Sequence, residues 1–193
     1  MSSSIAVPIP VIIAFLLSVV LGPVIIPFLR KLKFGQTVRD DGPQSHLKKN
    51  GTPTMGGVIF LISVIATSCF YMKNYPQVIP ILFVTVGFGI IGFLDDYIKV
   101  VLKRSEGLTP AQKMLGQIVV TGVFAVYMYK FSGISMEMLI PFFPGKTLDL
   151  GIFTMPVLFL AIVGTVNGVN FTDGLDGLAT SVTIMVAVFF GEQ

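Results

Sequence analysis

The sequence predicts an all-α protein, a polytopic transmembrane helical bundle. Hydrophobic residues make up 53% of its 193 residues and charged residues only 12%, about half the charged share of an average soluble domain. Six long stretches contain no Asp, Glu, Lys or Arg: 1–29, 51–72, 74–94, 114–129, 150–172 and 177–191. A lipid bilayer is therefore the expected solvent, and residues 1–193 are predicted to form a single transmembrane domain.

Length decides which stretches can cross a membrane, since a spanning helix needs roughly 20 apolar residues. The first, second, third and fifth stretches meet that length. The fourth meets it only if the flanking Lys113 and Lys130 extend their charged ends toward opposite headgroup layers. The sixth, apolar from Leu178 to Phe190, is too short. We expect five complete spans, the first of them retained because it lacks signal-peptide features, and a truncated sixth.

Basic residues predict the orientation, because they concentrate in the cytoplasmic connections of membrane proteins. Ten of the 13 Lys and Arg residues fall in the connections after span one and after span three. They are Arg30, Lys31, Lys33, Arg39, Lys48, Lys49, Lys99, Lys103, Arg104 and Lys113. We therefore expect the N-terminus outside, and both basic connections, together with the one after span five, in the cytoplasm.

Charge and cysteine content exclude two function classes. The net charge of +3 is small and dispersed along the chain, so no nucleic-acid partner is expected. Cys69 is the single cysteine, so the chain can build neither a disulfide framework nor a cysteine-rich zinc site.

The end of span three carries two adjacent carboxylates, Asp95 and Asp96. Carboxylates at a membrane boundary lose hydration and repel each other, and a nearby cation relieves both costs. If the helix continues, Lys99 lies one turn from Asp95. A functional carboxylate pair is one interpretation, and a solvated helix end with an ordinary surface ion pair is the other. The local pattern favours neither.

A second acidic motif occupies residues 170–178, after span five. Asp173 and Asp176 stand three residues apart, each followed by a glycine. Their oxygens could hold Mg²⁺, which is usually bound by one or two carboxylates plus substrate phosphates. In the alternative interpretation, Asp173 is only an N-cap and the glycines only permit a turn. The predicted topology brings this motif to the same membrane face as Asp95.

The first basic connection contains groups that could bind a phosphate. Lys48 and Lys49 offer ammonium groups, Thr54 offers a hydroxyl, and nearby glycines offer backbone N–H donors. Membrane orientation alone would also explain the two lysines, and a lone His46 is more often a loop residue than a catalyst.

Three segments together carry a family resemblance. They are Asp41-Gly42-Pro43 through Ser45-His46-Leu47-Lys48-Lys49 to Gly51-Thr52-Pro53-Thr54-Met55-Gly56-Gly57, then Phe93-Leu94-Asp95-Asp96-Tyr97 with Lys99, and then Asn170 through Leu178. In order and spacing they resemble the signatures of the phospho-N-acetylmuramoyl-pentapeptide transferase family. That family belongs to the polyprenyl-phosphate N-acetylhexosamine-1-phosphate transferases, glycosyltransferase family 4, whose members share the acidic motifs.

The resemblance implies an enzyme of peptidoglycan synthesis in the bacterial inner membrane. It implies a Mg²⁺-dependent transfer of phospho-MurNAc-pentapeptide from UDP-MurNAc-pentapeptide to undecaprenyl phosphate. The products are lipid I and UMP, and the resemblance suggests that the enzyme is a homodimer. It also implies a fold of about ten spans of about 20 residues each, with a further metal-binding aspartate and a histidine-rich motif in the later spans. We therefore expect this chain to correspond to the N-terminal portion and to be inactive alone.

The resemblance also implies roles for individual residues. Asp95, Asp96 and Asp173 correspond to catalytic positions, with Asp95 acting on the lipid phosphate as a base or by orienting it. Because a phosphate monoester with a second pKa of about 6 is mostly dianionic at neutral pH, it needs little help from a base, and both roles of Asp95 stay open. The implied substrate-binding residues are Lys49, Thr54, Lys99, Lys113, Asn170, Asp173 and Asp176. The implied metal ligands are Asp95, Asp96, Asp173 and Asp176.

Three other functions compete with this interpretation. A sister transferase would act on a UDP-N-acetylhexosamine instead. An ion-coupled membrane transporter would carry its charges near the bilayer midplane or on broken helices, whereas these acids lie at span ends. The third alternative is a non-catalytic membrane scaffold.

Overall fold

The computed structural model describes residues 8–31, 54–102, 106–140, 143, 145–173 and 177–191. Within these residues the chain is mainly helical, with one small two-stranded sheet. The chain divides into two compact units, Met1–Gln117 and Ile118–Gln193. A single domain over residues 1–193 stays a prediction.

The first unit begins with two apolar helices. Helix α1 spans Pro8–Lys31 and ends with Arg30 and Lys31 in its last turn. Helix α2 spans Gly57–Tyr71, which is 15 residues or about 22 Å at 1.5 Å per residue. The preceding Met55 has a φ of +69°, a left-handed conformation that an α-helix cannot contain. The second predicted span is therefore a shorter helix than its uncharged stretch of sequence indicated.

Helix α3 spans Val78–Leu102, and its regular backbone continues past the apolar run through both aspartates. Helix α4 spans Pro110–Lys130, so it incorporates Lys113 and Lys130 as the sequence predicted for the fourth span. The boundary between the two compact units falls inside α4, after Gln117.

The second unit continues with a short hairpin and two helices. Strand β1 (Met138–Leu139) pairs antiparallel with β2 (Thr147–Leu148), Met138 lying opposite Leu148. A 3₁₀ turn at Gly151–Phe153 leads into α5, Thr154–Thr172. Helix α6 spans Leu178–Gly191. The hairpin was not predicted, because strands of two residues leave no readable alternation.

Four segments are long and apolar enough to cross a bilayer. They are Pro8–Lys31, Val78–Leu102, Pro110–Lys130 and Gly151–Thr172. Two further apolar helices, Gly57–Tyr71 and Leu178–Phe189, are shorter. The predicted all-α, polytopic transmembrane bundle is confirmed for the described residues. The sixth helix is short as expected, and the second is shorter than expected.

Polar side chains occupy six of the nine buried positions among the described residues, and four of the six are Ser or Thr. Ser63 and Thr67 on α2 retain 1% and 5% of their exposure, and Thr121 on α4 retains none. Large apolar side chains such as Phe15 instead point outward. This inverted arrangement is expected in a bilayer, where apolar groups face lipid and small polar residues let helices approach closely.

Gly89 lies at a close approach between two neighbouring helices of the first unit. A Cβ on Gly89 of α3 would lie 2.7 Å from Leu61 Cδ1 of α2, so the two helices touch at this level. The short connection between them makes α2 and α3 antiparallel neighbours. Asp95 lies six residues after Gly89, and Met55 lies six residues before Leu61. The start of α2 and the acidic end of α3 are therefore at the same end of this helix pair.

Candidate active site

Asp95 is the most buried acidic residue that the structure describes, at 6% exposure. Its Oδ2 lies 2.7 Å from Lys99 Nζ and 3.2 Å from Lys113 Nζ. Its Oδ1 accepts a hydrogen bond of 2.9 Å from the backbone N–H of Leu108. A buried carboxylate must be paired and hydrogen-bonded to stay charged, and these three donors meet that requirement.

Lys99 links Asp95 to its more exposed neighbour Asp96. The helix continues through this region, so Lys99 follows Asp95 by four residues and Asp96 by three, both favourable spacings. Lys99 Nζ lies 3.2 Å from Asp96 Oδ1, and the Asp96 side chain is 42% exposed against 9% for Asp95. Asp95, Asp96, Lys99 and Lys113 are called the aspartate–lysine cluster below. Its two carboxylates and two ammonium groups balance in charge.

The backbone before α4 touches Asp95 directly at Gly107. A Cβ at Gly107 would collide with Asp95 Oδ1 and would lie 2.6 Å from the Asp95 carbonyl oxygen. Any other residue would push this segment away and lengthen the hydrogen bond from the adjacent Leu108. Gly107 does not have a positive φ, so the close approach, not the backbone conformation, requires glycine here.

A capping box fixes the first turn of α4 and hence the position of Lys113. The backbone N–H of Thr109 donates to Gln112 Oε1 at 2.9 Å, and the N–H of Gln112 donates to Thr109 Oγ1 at 3.2 Å. This reciprocal pair satisfies two N–H groups that a helix start otherwise leaves open. Pro110 at the first helical position suits the same geometry. Lys113, one turn later, faces Asp95.

Thr54 lies just before α2, at the helix-pair end that carries Asp95. Its hydroxyl oxygen is buried and has no hydrogen-bond partner among the described residues. Met55 follows in the left-handed conformation and is itself buried. The hydroxyl of Thr54 thus remains able to bond a group supplied from outside the described residues.

Two predicted site residues belong to the second unit. Asn170 is exposed in the last turn of α5, and Asp173 is exposed at its C-cap, where the Asp173 N–H bonds Val169 O at 3.1 Å. Asp173 follows α5 instead of starting α6, so it is not an N-cap. Gly177, directly before α6, has a φ of +82°, which supports the turn role weighed for the glycines.

Comparison with known proteins bears on what these residues do. The sequence profile of glycosyl transferase family 4 matches residues 78–192, well over half of the chain. The chain belongs to glycosyl transferase family 4. The matched region includes the whole aspartate–lysine cluster and the 170–178 motif. A shorter pattern, signature 1 of phospho-N-acetylmuramoyl-pentapeptide-transferase, matches residues 49–61.

Within family 4, the chain is similar to curated proteins named phospho-N-acetylmuramoyl-pentapeptide-transferase. Identity is 52% to the protein of Acetivibrio thermocellus, over 93% of this chain and 54% of the relative. It is 49% to that of Clostridioides difficile, over 93% and 55%. It is 47% to that of Bacillus subtilis, over 94% and 56%. The chain spans about half the length of these curated relatives.

The family 4 resemblance implies a divalent metal. The described carboxylates differ in how well each could bind it. The described residues contain no group of three His, Cys, Asp or Glu side chains able to hold a metal. Both oxygens of Asp95 are already engaged by N–H donors. Asp96 suits a metal better, because it is more exposed and Mg²⁺ often takes one or two carboxylates plus substrate phosphates.

The structure brings some of the predicted site residues together and leaves others outside its described part. Asp95, Asp96, Lys99 and Lys113 meet in one cluster, with Thr54 at the same end of the helix pair. Lys49, His46 and Asp176 lie outside the described residues.

Sequence reasoning missed Gly107 and Leu108, which touch Asp95 through backbone atoms. The Leu108 N–H contact leaves no mark on residue type, and a single glycine such as Gly107 does not by itself indicate which residue it approaches. The Thr109-Pro110-Ala111-Gln112 run was a readable helix-start signal and could have located the beginning of α4.

Proposed function

We propose that this chain forms part of the active site of a phospho-N-acetylmuramoyl-pentapeptide transferase. The proposed reaction moves phospho-MurNAc-pentapeptide from UDP-MurNAc-pentapeptide to undecaprenyl phosphate. The observation that carries the proposal is the aspartate–lysine cluster at the polar end of a membrane helix. The signature at residues 49–61 and the names of the similar proteins support the choice of substrates.

The proposed chemistry is one phosphoryl transfer. An oxygen of undecaprenyl phosphate forms a bond to the phosphorus attached to the sugar, and the bond from that phosphorus to the bridging pyrophosphate oxygen breaks. UMP leaves with the bridging oxygen and its electron pair, and lipid I stays in the bilayer. Catalysis of such a step consists mostly of positioning and charge neutralisation, for which ammonium groups and carboxylates at a membrane boundary are suited.

Within this reaction, Lys99 and Lys113 are proposed to bind phosphate oxygens. Each is less than 3.5 Å from Asp95 Oδ2, so two ammonium groups converge on one point that a phosphate oxygen could share. Asp95 then orients the lipid phosphate, and the Leu108 N–H keeps the carboxylate in place. Thr54, whose hydroxyl has no partner among the described residues, is proposed as a further hydrogen-bond donor to substrate.

We propose Mg²⁺ as the divalent metal, with Asp96, Asp173 and Asp176 as the carboxylates able to hold it. Asp95 is a less suited fourth candidate, because both of its oxygens already accept N–H donors. The ion would neutralise charge on the pyrophosphate of the donor. Lys49, Asn170, Asp173 and Asp176 are proposed to border the nucleotide. The proposed topology has the N-terminus outside and these groups on the cytoplasmic face, and a homodimer is proposed for the assembled enzyme.

A transfer assay in nanodiscs tests the proposal. Labelled UDP-MurNAc-pentapeptide, undecaprenyl phosphate and Mg²⁺ are supplied to the chain alone and to the complemented transferase, meaning the chain co-expressed with the remaining part of the Acetivibrio thermocellus relative. Lipid I is expected from the complemented transferase and not from the chain alone. Unlabelled UDP-N-acetylglucosamine should not compete. Product from UDP-N-acetylglucosamine instead of the pentapeptide nucleotide would assign the chain to the sister transferases.

A further inference from the structure

The connection between α4 and α5 is a folded hairpin segment, consisting of residues 131–140, Phe143 and residues 145–153. Beyond the β1–β2 pair, the backbone N–H of Ile140 donates to Lys146 O at 3.0 Å, and that of Lys146 donates to Phe143 O at 3.1 Å. The 3₁₀ turn Gly151–Phe153 closes the segment against α5. These bonds give the connection a defined surface.

Polar side chains in the hairpin segment bond within the segment or to the adjacent helix end. Thr147 Oγ1 donates to Glu137 Oε2 at 2.6 Å, and Asp149 Oδ1 accepts the N–H of Gly151 at 2.8 Å. Ser132 Oγ donates to Met128 O at the end of α4, also at 2.6 Å. Several polar groups that could otherwise hydrogen-bond to water are thus already bonded within the protein.

Large apolar side chains point outward from the same segment. Leu139 is 75% exposed, Phe143 57%, Ile152 84% and Phe153 68%. A water-facing hairpin normally turns one apolar face inward and keeps polar residues outside, whereas this segment exposes large apolar side chains as well as its polar ones. Several large exposed apolar side chains within one short segment indicate a contact with another apolar phase or partner.

Attachment to two membrane helices determines what that phase is. The segment begins directly after α4 ends at Lys130, and its last three residues, 151–153, also belong to the candidate span Gly151–Thr172. Both α4 and Gly151–Thr172 are candidate membrane spans. The segment is therefore joined at both ends to candidate membrane spans, which holds it at the boundary of the bilayer. Lys146 Nζ lies 5.5 Å from the centre of the Phe143 ring, an aromatic–cation pairing suited to the headgroup layer.

We propose that the hairpin segment is a lipid-contacting element. It lies in the headgroup layer at the end of α4 that carries Lys130, with Leu139, Phe143, Ile152 and Phe153 directed toward the acyl chains. Its occupant is the bilayer surface, not a protein partner. This proposal does not depend on the transferase activity.

The chain contains no tryptophan, so a single introduced Trp reports its surroundings without background. Leu139→Trp and Phe143→Trp are each reconstituted in dioleoylphosphatidylcholine vesicles with or without brominated acyl chains. Phe15→Trp, on the apolar α1, is the inserted reference, and only preparations in which this reference is quenched are used. Brominated lipid should quench the indole fluorescence of both hairpin variants. Acrylamide should quench these variants several-fold less than it quenches free N-acetyltryptophanamide. Replacing Phe143 by Ser in the Leu139→Trp chain should weaken the lipid quenching.

Two results would overturn the proposal. Strong acrylamide quenching with no effect of brominated lipid would show that the segment lies in water. Protection of the Leu139→Trp indole from both quenchers would also contradict it. Such protection at high protein-to-lipid ratio would show that a second copy covers the segment, and protection only in the complemented transferase would show that the part supplied by the relative covers it.

Discussion

Lys113 Nζ lies 3.2 Å from Asp95 Oδ2 although the two residues stand on different helices. The contact joins the first turn of α4 to the polar end of α3 and brings a second cation to a carboxylate that already binds Lys99. An ion pair between helices forms only where both backbones are correctly placed. Substitutions in either helix, or in the segment between them, can therefore be used to measure the contribution of each residue.

Replacing Lys113 by Ala should weaken binding of undecaprenyl phosphate in the complemented transferase. Charge-assisted hydrogen bonds contribute about 1.5–3 kcal/mol, so the Michaelis constant for the lipid should rise about 10- to 100-fold. Lys130→Ala, at the opposite end of α4, is the matched control and should leave it unchanged. An equal effect of both substitutions would indicate a general change in charge or insertion.

Replacing Asp95 by Asn should lower kcat in the complemented transferase by about 100-fold or more, the range for a lost catalytic carboxylate. Asn keeps the shape but cannot pair with two lysines. Asp96→Asn should also lower kcat and should raise the Mg²⁺ concentration needed for half-maximal rate. Asp149→Asn, in the hairpin segment, is the control. Full turnover by the Asp95 and Asp96 variants would remove both from the catalytic site.

Gly107→Ala should destabilise the folded chain, because the added methyl group collides with Asp95. Overpacking of this kind costs about 1–3 kcal/mol, measurable as a lower thermal unfolding midpoint in detergent. Gly92→Ala on α3 is the matched control, since a Cβ there meets nothing within 4 Å. That substitution should stabilise the helix by about 0.5–1 kcal/mol. Equal midpoints for the two variants would contradict the close approach at Gly107.

Thr109→Ala should loosen the first turn of α4, because it removes the hydroxyl that accepts the Gln112 N–H. Loss of such a cap costs about 1 kcal/mol. Faster amide hydrogen exchange is expected at Gln112 and Lys113 and not near Lys130. Thr109→Ser keeps the hydroxyl and should restore slow exchange. If Thr109→Ser exchanges as fast as Thr109→Ala, the capping box does not hold this turn.

Much of the helical framework could be predicted from the sequence, but the start of α2 could not. The uncharged stretch at residues 51–72 indicated a full span, yet α2 begins only at Gly57 because Met55 adopts a left-handed backbone. Residue type alone does not predict that conformation, which is uncommon for residues other than glycine. The hairpin could not be predicted, because strands of two residues are too short to show an alternating pattern.

The sequence by itself determined the apolar spans and the pairing of Asp95 with Lys99, since both residues lie on one uninterrupted helix and a four-residue spacing suffices to bring them together. Only the tertiary structure decided that Lys113 and the Leu108 N–H also reach Asp95. Those contacts join α3 to residues 13 and 18 positions later, and their geometry depends on how a glycine and a helix cap let two backbones approach. Periodicity and composition describe each helix alone, whereas these contacts depend on how the two helices are placed relative to each other.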